Sequence, residues 1–221
     1  MSIIIEIRAA EGGEDAKLLV RDQLRIYEKL CARHGLTLEL VEVRHGYVSA
    51  QVSGRNAESV FANEAGGHRW QRVPPTEKRG RVQTSTITVA VLPEPKESEF
   101  HIDAKDLDWK TCRGSGAGGQ HRNKTETAVQ LTYKPTGFMV RCETERSQAQ
   151  NKETALSLLR ARLWEEQKTQ EAETRAGARK AQVGSGQRGD KRRTIQAQNG
   201  TVTDHVTGQR WNFKQYERGD W

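Results

Sequence analysis

The spacing of apolar residues along the chain predicts a succession of short strands and two substantial helices. Ser2 to Arg8 is a short isoleucine-rich run and predicts a strand. A glycine turn, Ala9-Ala10-Glu11-Gly12-Gly13, follows it. From Glu14 the period changes: Ala16, Val20, Leu24, Tyr27 and Cys31 recur at helical spacing, and Leu19, Ile26 and Leu30 widen the stripe. Glu14 and Asp15 fall in the first turn, where the helix dipole favours acids, and Gly35 supplies the stop. Residues 38–43 and 47–52 predict two strands about the turn Arg44-His45-Gly46, and a short helix is expected over 56–61. Thr84 to Leu92 alternates through Ile87, Val89 and Val91 as a strand does.

The segment Pro93-Glu94-Pro95-Lys96-Glu97-Ser98-Glu99 predicts a linker and a domain boundary near residues 95–105. Beyond it, 107–112 predicts a strand, and 128–133 with 138–142 a hairpin around Lys134-Pro135-Thr136-Gly137. A long helix is expected over about 151–181, apolar at Ala155, Leu158, Leu159 and Leu163 and polar all round from Glu165. A helix of that kind either projects or packs lightly. Gly184 to Asp190 is expected to be a flexible connector. The class is α+β, with domains at 1–100, 101–183 and a C-terminal return at 184–221.

Composition narrows the function. The chain has 221 residues, 34% hydrophobic, 29% charged and 6% aromatic, which excludes collagen-like, mucin-like and broadly disordered classes. No apolar run approaches the roughly 18 residues a membrane span needs, and Glu6 and Arg8 argue against a signal peptide. Cys31, Cys112 and Cys142 form no CxxC pair, so a reducing, cytoplasmic location is expected. The six histidines are dispersed at 34, 45, 68, 101, 121 and 205, so neither a metal nor a cofactor is expected. Residues 1–105 hold 15 basic and 15 acidic residues, leaving 21 basic and 14 acidic in 106–221; the whole net charge of +7 lies in the second half. That asymmetry points either to a polyanionic partner such as nucleic acid or to a solvated basic face.

Arg113 to His121 carries four glycines in nine residues. Gly114, Gly116 and Gly119 match GxGxxG in form, but no apolar strand precedes them and no helix follows, as a dinucleotide fold requires. The Walker lysine and the GxSxG elbow are absent. Two readings remain: a flexible surface loop, or a loop bracketed by Arg113, Arg122 and Lys124 that presents backbone N–H groups to RNA.

The ordered set Gly116-Ala117-Gly118-Gly119-Gln120-His121, Asn123-Lys124-Thr125, Glu145-Arg146-Ser147-Gln148 and Asn151-Lys152 resembles the catalytic domain of the class I peptide-chain release factors. Ile5 to Ala10 with Gly12-Gly13 resembles the start of their codon-reading domain. Gly66-Gly67-His68-Arg69 through Gln71-Arg72-Val73-Pro74-Pro75-Thr76-Glu77 resembles their tripeptide-anticodon segment, and Arg193-Thr194 with Gly200 to His205 their C-terminal return. The resemblance implies a codon-reading α/β-sandwich-like domain and a small GGQ domain of mixed sheet and long helix. The family's N-terminal helical domain is expected to be missing.

The resemblance also implies roles. Hydrolysis of the peptidyl-tRNA ester would fall to Gly118, Gly119 and Gln120, with the Gln120 backbone N–H donating to the developing oxyanion or the departing 3′-oxygen. Gln120 would be N5-methylated by a dedicated glutamine methyltransferase. Arg113, Asn123, Lys124, Arg146, Ser147 and Gln148 would touch ribosomal RNA; Ser147 also suits a plain helix N-cap. The basic run Arg175, Arg179, Lys180, Arg188, Lys191, Arg192 and Arg193 resembles the hinge between domains and suggests phosphate contacts. Pro74-Pro75-Thr76 fits the PxT pattern of the factor that reads UAA and UAG, with Gln71 and Thr84 at the third base, Asp15 at the first, and Gly12 and Gly13 in the decoding region.

Two positions depart from the pattern. Gln83 stands where the family stacks a histidine on the codon, and Asp15 is one methylene shorter than the usual glutamate. The truncated architecture is most similar to the small bacterial release factor H branch, associated with an RNA-ligase repair system and with rescue of ribosomes damaged in the decoding centre. The implied partners are the ribosome, with mRNA in the A site and peptidyl-tRNA in the P site, and no membrane; a monomer is expected. A general UAA/UAG termination factor and a non-catalytic RNA-binding protein are the competing readings.

Overall fold

The computed structural model describes residues 2–94, 102–115 and 124–221. They form two compact units: Met1–Lys96 with Thr174–Trp221, and Glu97–Glu173. The first unit is assembled from the two ends of the chain.

Its elements are β1 (Ser2–Ala9), α1 (Gly13–Arg33), β2 (Thr37–Arg44), β3 (Tyr47–Ser53), α2 (Ala57–Phe61), β4 (Gly66–Arg72) and β5 (Gln83–Pro93), then β9 (Arg193–Gln196), β10 (Thr201–Asp204), β11 (Arg210–Asn212) and α4 (Phe213–Glu217). Among the described residues the strands make one eight-stranded sheet in the order β11-β10-β9-β4-β5-β1-β3-β2. All its pairings are antiparallel except β4 with β9, which runs parallel through His68↔Arg193, Arg69↔Thr194, Trp70↔Ile195 and Gln71↔Gln196.

The uninterrupted isoleucines of β1 have a physical cause. Ile3, Ile5 and Ile7 face α1 and join Leu19, Val20, Ile26, Tyr27 and Leu30 in the main core. Ile4 points to the other face and packs with Ala90, Leu92 and Val183. A strand covered on both faces needs apolar side chains at successive positions, so its pattern is a run rather than an alternation.

The second unit has a 3₁₀ turn (Ala104–Asp106) and the antiparallel meander β6 (Leu107–Cys112), β7 (Ala128–Tyr133), β8 (Phe138–Cys142). The helix α3 (Gln148–Val183) backs it: Ala155, Leu159 and Leu163 pack on Leu131, Val140 and Cys142.

α3 is longer at both ends than the apolar stripe predicts, and its last ten residues belong to the first unit rather than the second. The reason is a second, polar packing patch. Arg179 clasps Glu6 through two bonds of 2.6 Å. The Gln182 amide pairs with both backbone groups of Val91, at 2.8 and 2.7 Å. Polar tips that dock this way leave no apolar periodicity to detect. The expected flexible connector is also a built turn. Asp190 accepts from Ser185 N at 2.7 Å and from its hydroxyl at 3.2 Å, and Arg192 N donates to Gly67 O at 2.8 Å.

Under the sheet lies a buried polar centre. The Arg193 guanidinium donates to both Glu64 oxygens, at 2.6 and 2.9 Å, with both side chains 1% exposed. Glu64 also accepts from Tyr27 Oη at 2.9 Å and Trp221 Nε1 at 3.1 Å. Arg193 reaches Asp204 at 3.3 Å and lies against the rings of Trp211, Tyr216 and Trp221. Burial opposes the arginine's charge, but Glu64 holds its pKa well above the ordinary value. Burial, reinforced by Glu64, likewise pushes the Tyr27 phenol well up.

Removing one partner of such a pair strands the other charge. Glu64→Gln is expected to lower the unfolding free energy of the chain by about 3–5 kcal/mol, read as a shift in the urea midpoint. A midpoint unchanged from wild type would show that the pair contributes nothing to the fold.

Candidate functional site

The first cluster of expected site residues gathers at one end of β4 and β5. The turn before α1 is tied to β5 by Ala10 N donating to Thr86 O (2.9 Å) and Thr86 N donating to Glu11 O (2.6 Å). Gly12 adopts φ +132, and a Cβ there would lie 2.4 Å from Ser85 Oγ, so only glycine lets the turn approach β5. Next to Ser85, Thr84 pairs in register with Gln71, whose Oε1 accepts from Gln196 Nε2 at 2.8 Å. Gln71 and Thr84 thus share one face of the sheet, and the Gly12-Gly13 turn abuts the neighbouring Ser85.

Asp15 does not join them as an open acid. It is 3% exposed and accepts from Arg72 Nε at 3.0 Å and Nη2 at 2.7 Å, while the same guanidinium reaches Asp22 at 2.7 Å. The shorter acid is folded inward against arginine.

The segment between β4 and β5 carries Pro74, Pro75 and Thr76. Pro74 is buried, whereas Pro75 and Thr76 are exposed. The loop is organised by Glu77, which sequence reasoning did not single out. Its backbone N–H donates to Pro74 O at 3.0 Å. Its carboxylate accepts from Arg79 N (2.8 Å), Gln83 Nε2 (2.9 Å) and Arg81 Nε and Nη2 (3.2 and 3.1 Å). These donors, the Arg79 amide foremost, hold its pKa below the ordinary carboxylate value. Gln83 is thus occupied by Glu77. A carboxylate followed by three polar donors within six residues was the available signal.

The second cluster lies in the other unit. Gly118, Gly119, Gln120 and Asn123 lie outside the described residues. The chain just before them is anchored. Ser115 N donates to Glu143 at 3.0 Å, its hydroxyl at 3.1 Å, and Arg141 bridges Glu143 (2.9 Å) and Arg113 O (3.3 Å). The Ser115 amide and then Arg141 draw the Glu143 pKa down to about 2.

Arg113, Lys124, Arg146 and Ser147 are exposed. The Gln148 amide donates to Glu126 O at 2.8 Å. Asn151, fully buried, accepts from Glu145 N (3.0 Å) and donates to Glu145 O (3.0 Å) and Thr127 O (2.9 Å). One side chain thereby sets the course of Glu145-Arg146-Ser147 beside the start of β7.

The basic run at 175–193 is mostly consumed internally. Arg179 pairs with Glu6, Arg188 with Glu11, Arg192 with Asp204 and Arg193 with Glu64. Among the described residues no group of three or more His, Cys, Asp or Glu side chains is placed to hold a metal, and no helix is long and apolar enough to cross a membrane.

Because the Glu143 pKa is depressed, its anchor acts at full strength above the ordinary value of 4.5 and is lost as pH falls toward about 2. The protection of the Ser115 amide hydrogen against exchange, relative to its unfolded rate, is expected to fall across that window, and to be lost at pH 7 in Glu143→Ala. An amide equally protected in the variant at neutral pH would remove Glu143 from the anchoring role.

Comparison with known proteins bears on both clusters. Residues 1–89 match the PCRF domain and residues 96–206 the RF-1 domain. The chain is 46% identical over 219 residues to peptide chain release factor 1 of Thermotoga maritima, covering 96% of this chain and 63% of that protein. It is 44% identical over 209 residues to peptide chain release factor 1 of Mycoplasma pneumoniae, covering 92% and 58%. RF2 of Thermus thermophilus superposes with a TM-score of 0.56 at 33% identity, covering 99% of this chain and 64% of that one. The chain thus spans about three fifths of the length of these relatives. Two domain matches that together run over nearly its whole length place the chain in the class I peptide chain release factor family.

Proposed function

We propose that the protein binds the ribosomal A site and hydrolyses the ester of peptidyl-tRNA, releasing the nascent peptide from ribosomes damaged in the decoding centre. The hydrolytic part is supported by family membership and by Gly118-Gly119-Gln120 following a segment fixed at Ser115 by Glu143. Water attacks the ester carbonyl, the carbon–oxygen bond to the tRNA 3′-oxygen breaks, and that oxygen leaves with a proton. The Gln120 backbone N–H stabilises the developing oxyanion or the leaving oxygen, while its side chain, N5-methylated by a glutamine methyltransferase, orients the water. Gly118 and Gly119 give the backbone the freedom this donor position requires. Arg113, Asn123, Lys124, Arg146, Ser147 and Gln148 contact the surrounding RNA. Ribosomal RNA and tRNA supply the rest of the site.

The observation that carries the rescue reading is the state of the two departures from the family pattern. Asp15 is spent on Arg72 and Gln83 on Glu77. Asp15 is buried, and Gln83, exposed like Pro75 and Thr76, has its amide N–H drawn aside to Glu77. A surface of this kind suits inspection of an altered decoding centre better than full readout of three bases. A cytoplasmic protein acting as a monomer, functionally linked to an RNA ligase that repairs the same lesion, fits this role. One observation favours the alternative of general UAA/UAG termination: Pro74-Pro75-Thr76 keeps its hydroxyl in the open, and a threonine hydroxyl can both donate and accept.

A peptide-release assay separates the two. Release is expected to be slow on intact ribosomes at UAA or UAG and fast on ribosomes cleaved in the decoding-centre RNA. Equal rates on both would overturn the rescue reading and favour general termination. Gly119→Ala is expected to slow release by about 100-fold or more, the usual cost of one lost oxyanion donor. Unchanged release by that variant would leave a non-catalytic RNA-binding protein.

A further inference from the structure

With four of the seven basic residues at 175–193 neutralised inside the first unit, the cations that stay available become informative. On β4, His68 and Trp70 point to the α1 side, so Arg69 points to the opposite face of the sheet. Its register partner on β9 is Thr194. Thr194 Oγ1 lies 2.7 Å from His205 Nε2, and His205 N donates to Arg192 O at 2.7 Å, which brings the ring beside Lys191. Arg69 and Lys191 form no ion pair or side-chain hydrogen bond among the described residues, and Arg69 Nε is buried without an acceptor. The Asp204 carboxylate is occupied by Arg192, Arg193 and the amides of Val206 and Thr207. Asp190 is likewise occupied by Ser185. Burial, then Lys191 and Arg69, depress the His205 pKa, and Asp204 only partly opposes them.

We propose that Arg69, Lys191, Thr194 and His205 form a binding site for RNA phosphodiester on the outer face of the parallel β4–β9 pair. Arg69 offers a forked donor, Lys191 a point charge, and the hydrogen-bonded Thr194–His205 pair one further uncharged donor, a set that matches a singly charged phosphodiester with several oxygens. One rung along the sheet, about 7 Å away, lie Gln71 and Gln196, whose amides bond each other. A strand of RNA can therefore run along the face from that rung to Lys191. The choice of RNA over an acidic protein rests on the proposed ribosomal function and on this lining of hydroxyl, amide and imidazole groups.

The test uses the full chain, titrated at several salt concentrations against 70S ribosomes carrying peptidyl-tRNA, a uridine oligonucleotide and an oligo-glutamate peptide. For single-stranded RNA, each phosphate that is no longer neutralised flattens the slope of log K against log salt by about 0.7. Arg69→Gln with Lys191→Gln is therefore expected to flatten the slope for ribosomes and oligonucleotide by about 1.4, and Lys191→Gln alone by about half that. His205→Gln is expected to weaken binding without changing the slope, because the neutral ring contributes no charge. An unchanged slope in the folded Lys191→Gln variant would overturn the site, and equal losses toward oligo-glutamate would overturn its assignment to RNA. Gly119→Ala should slow release by about 100-fold or more and leave the slope alone. Flattened slopes in a protein that never releases peptide would keep this site while removing the hydrolytic function.

Discussion

The first unit depends on a charge that has no route to water. Arg193 sits at the start of β9, on the C-terminal stretch of the chain, and Glu64 sits just before β4, on the N-terminal stretch. Their pairing is the chemical condition for β9 to lie parallel to β4. A guanidinium as buried as this one is tolerated only where carboxylates, a phenol and aromatic faces surround it. Tyr27, Asp204, Tyr216 and Trp221 supply that lining from four different places in the sequence. Burying a charge in this way gives register: a slip of one residue would put Thr194 under the sheet and Arg193 outside it.

The same arithmetic governs the surface. A net charge of +7 in the second half of the chain suggests a broadly basic face, but the structure spends much of it. Arg179, Arg188, Arg192 and Arg193 hold the end of α3, the turn after it and β9 in place, and three of the four acids they meet belong to the N-terminal half. The neutral balance of residues 1–105 and the excess of 106–221 are thus partly two sides of one internal set of bonds. Charge that is used for folding is not available to a partner, and composition cannot distinguish the two uses.

Most of the fold was legible because its elements carry strong local periodicity. The α1 stripe and the hairpin β7–β8 follow directly from spacing and turn residues. The α+β class follows from that succession. What was not legible is what joins distant segments. Nothing in the local pattern of Gly66-Gly67-His68 tells that Gly67 must pass within reach of Asp190 O, where a Cβ would lie at 2.5 Å. Nor does it tell that His68 is wholly buried, with burial lowering its pKa to about 3. These residues, prominent in the resemblance, are structural. The candidate site shows the converse. Gln71 and Thr84 were identified by resemblance and do stand side by side, whereas Glu143, and the motif positions Glu77 and Asn151, organise their surroundings through bonds that no local pattern shows. Each acts through backbone groups of nearby residues, and a sequence shows side chains only.

The parallel β4–β9 pair also orders events in time. A ribosome synthesising this chain has completed β4 more than a hundred residues before β9 is made. The inner strands β1, β3 and β5 can pair early, but β4 keeps an open edge, and Glu64 lacks its arginine, until the C-terminal stretch emerges. The whole second unit, residues 97–173, is by then already outside or passing through the exit tunnel. A nascent chain lacking its last thirty residues would keep the glycine-rich segment of the second unit and lose β9. It would carry that segment alongside a first unit whose sheet edge is unpaired, a product marked for aggregation or proteolysis rather than for work.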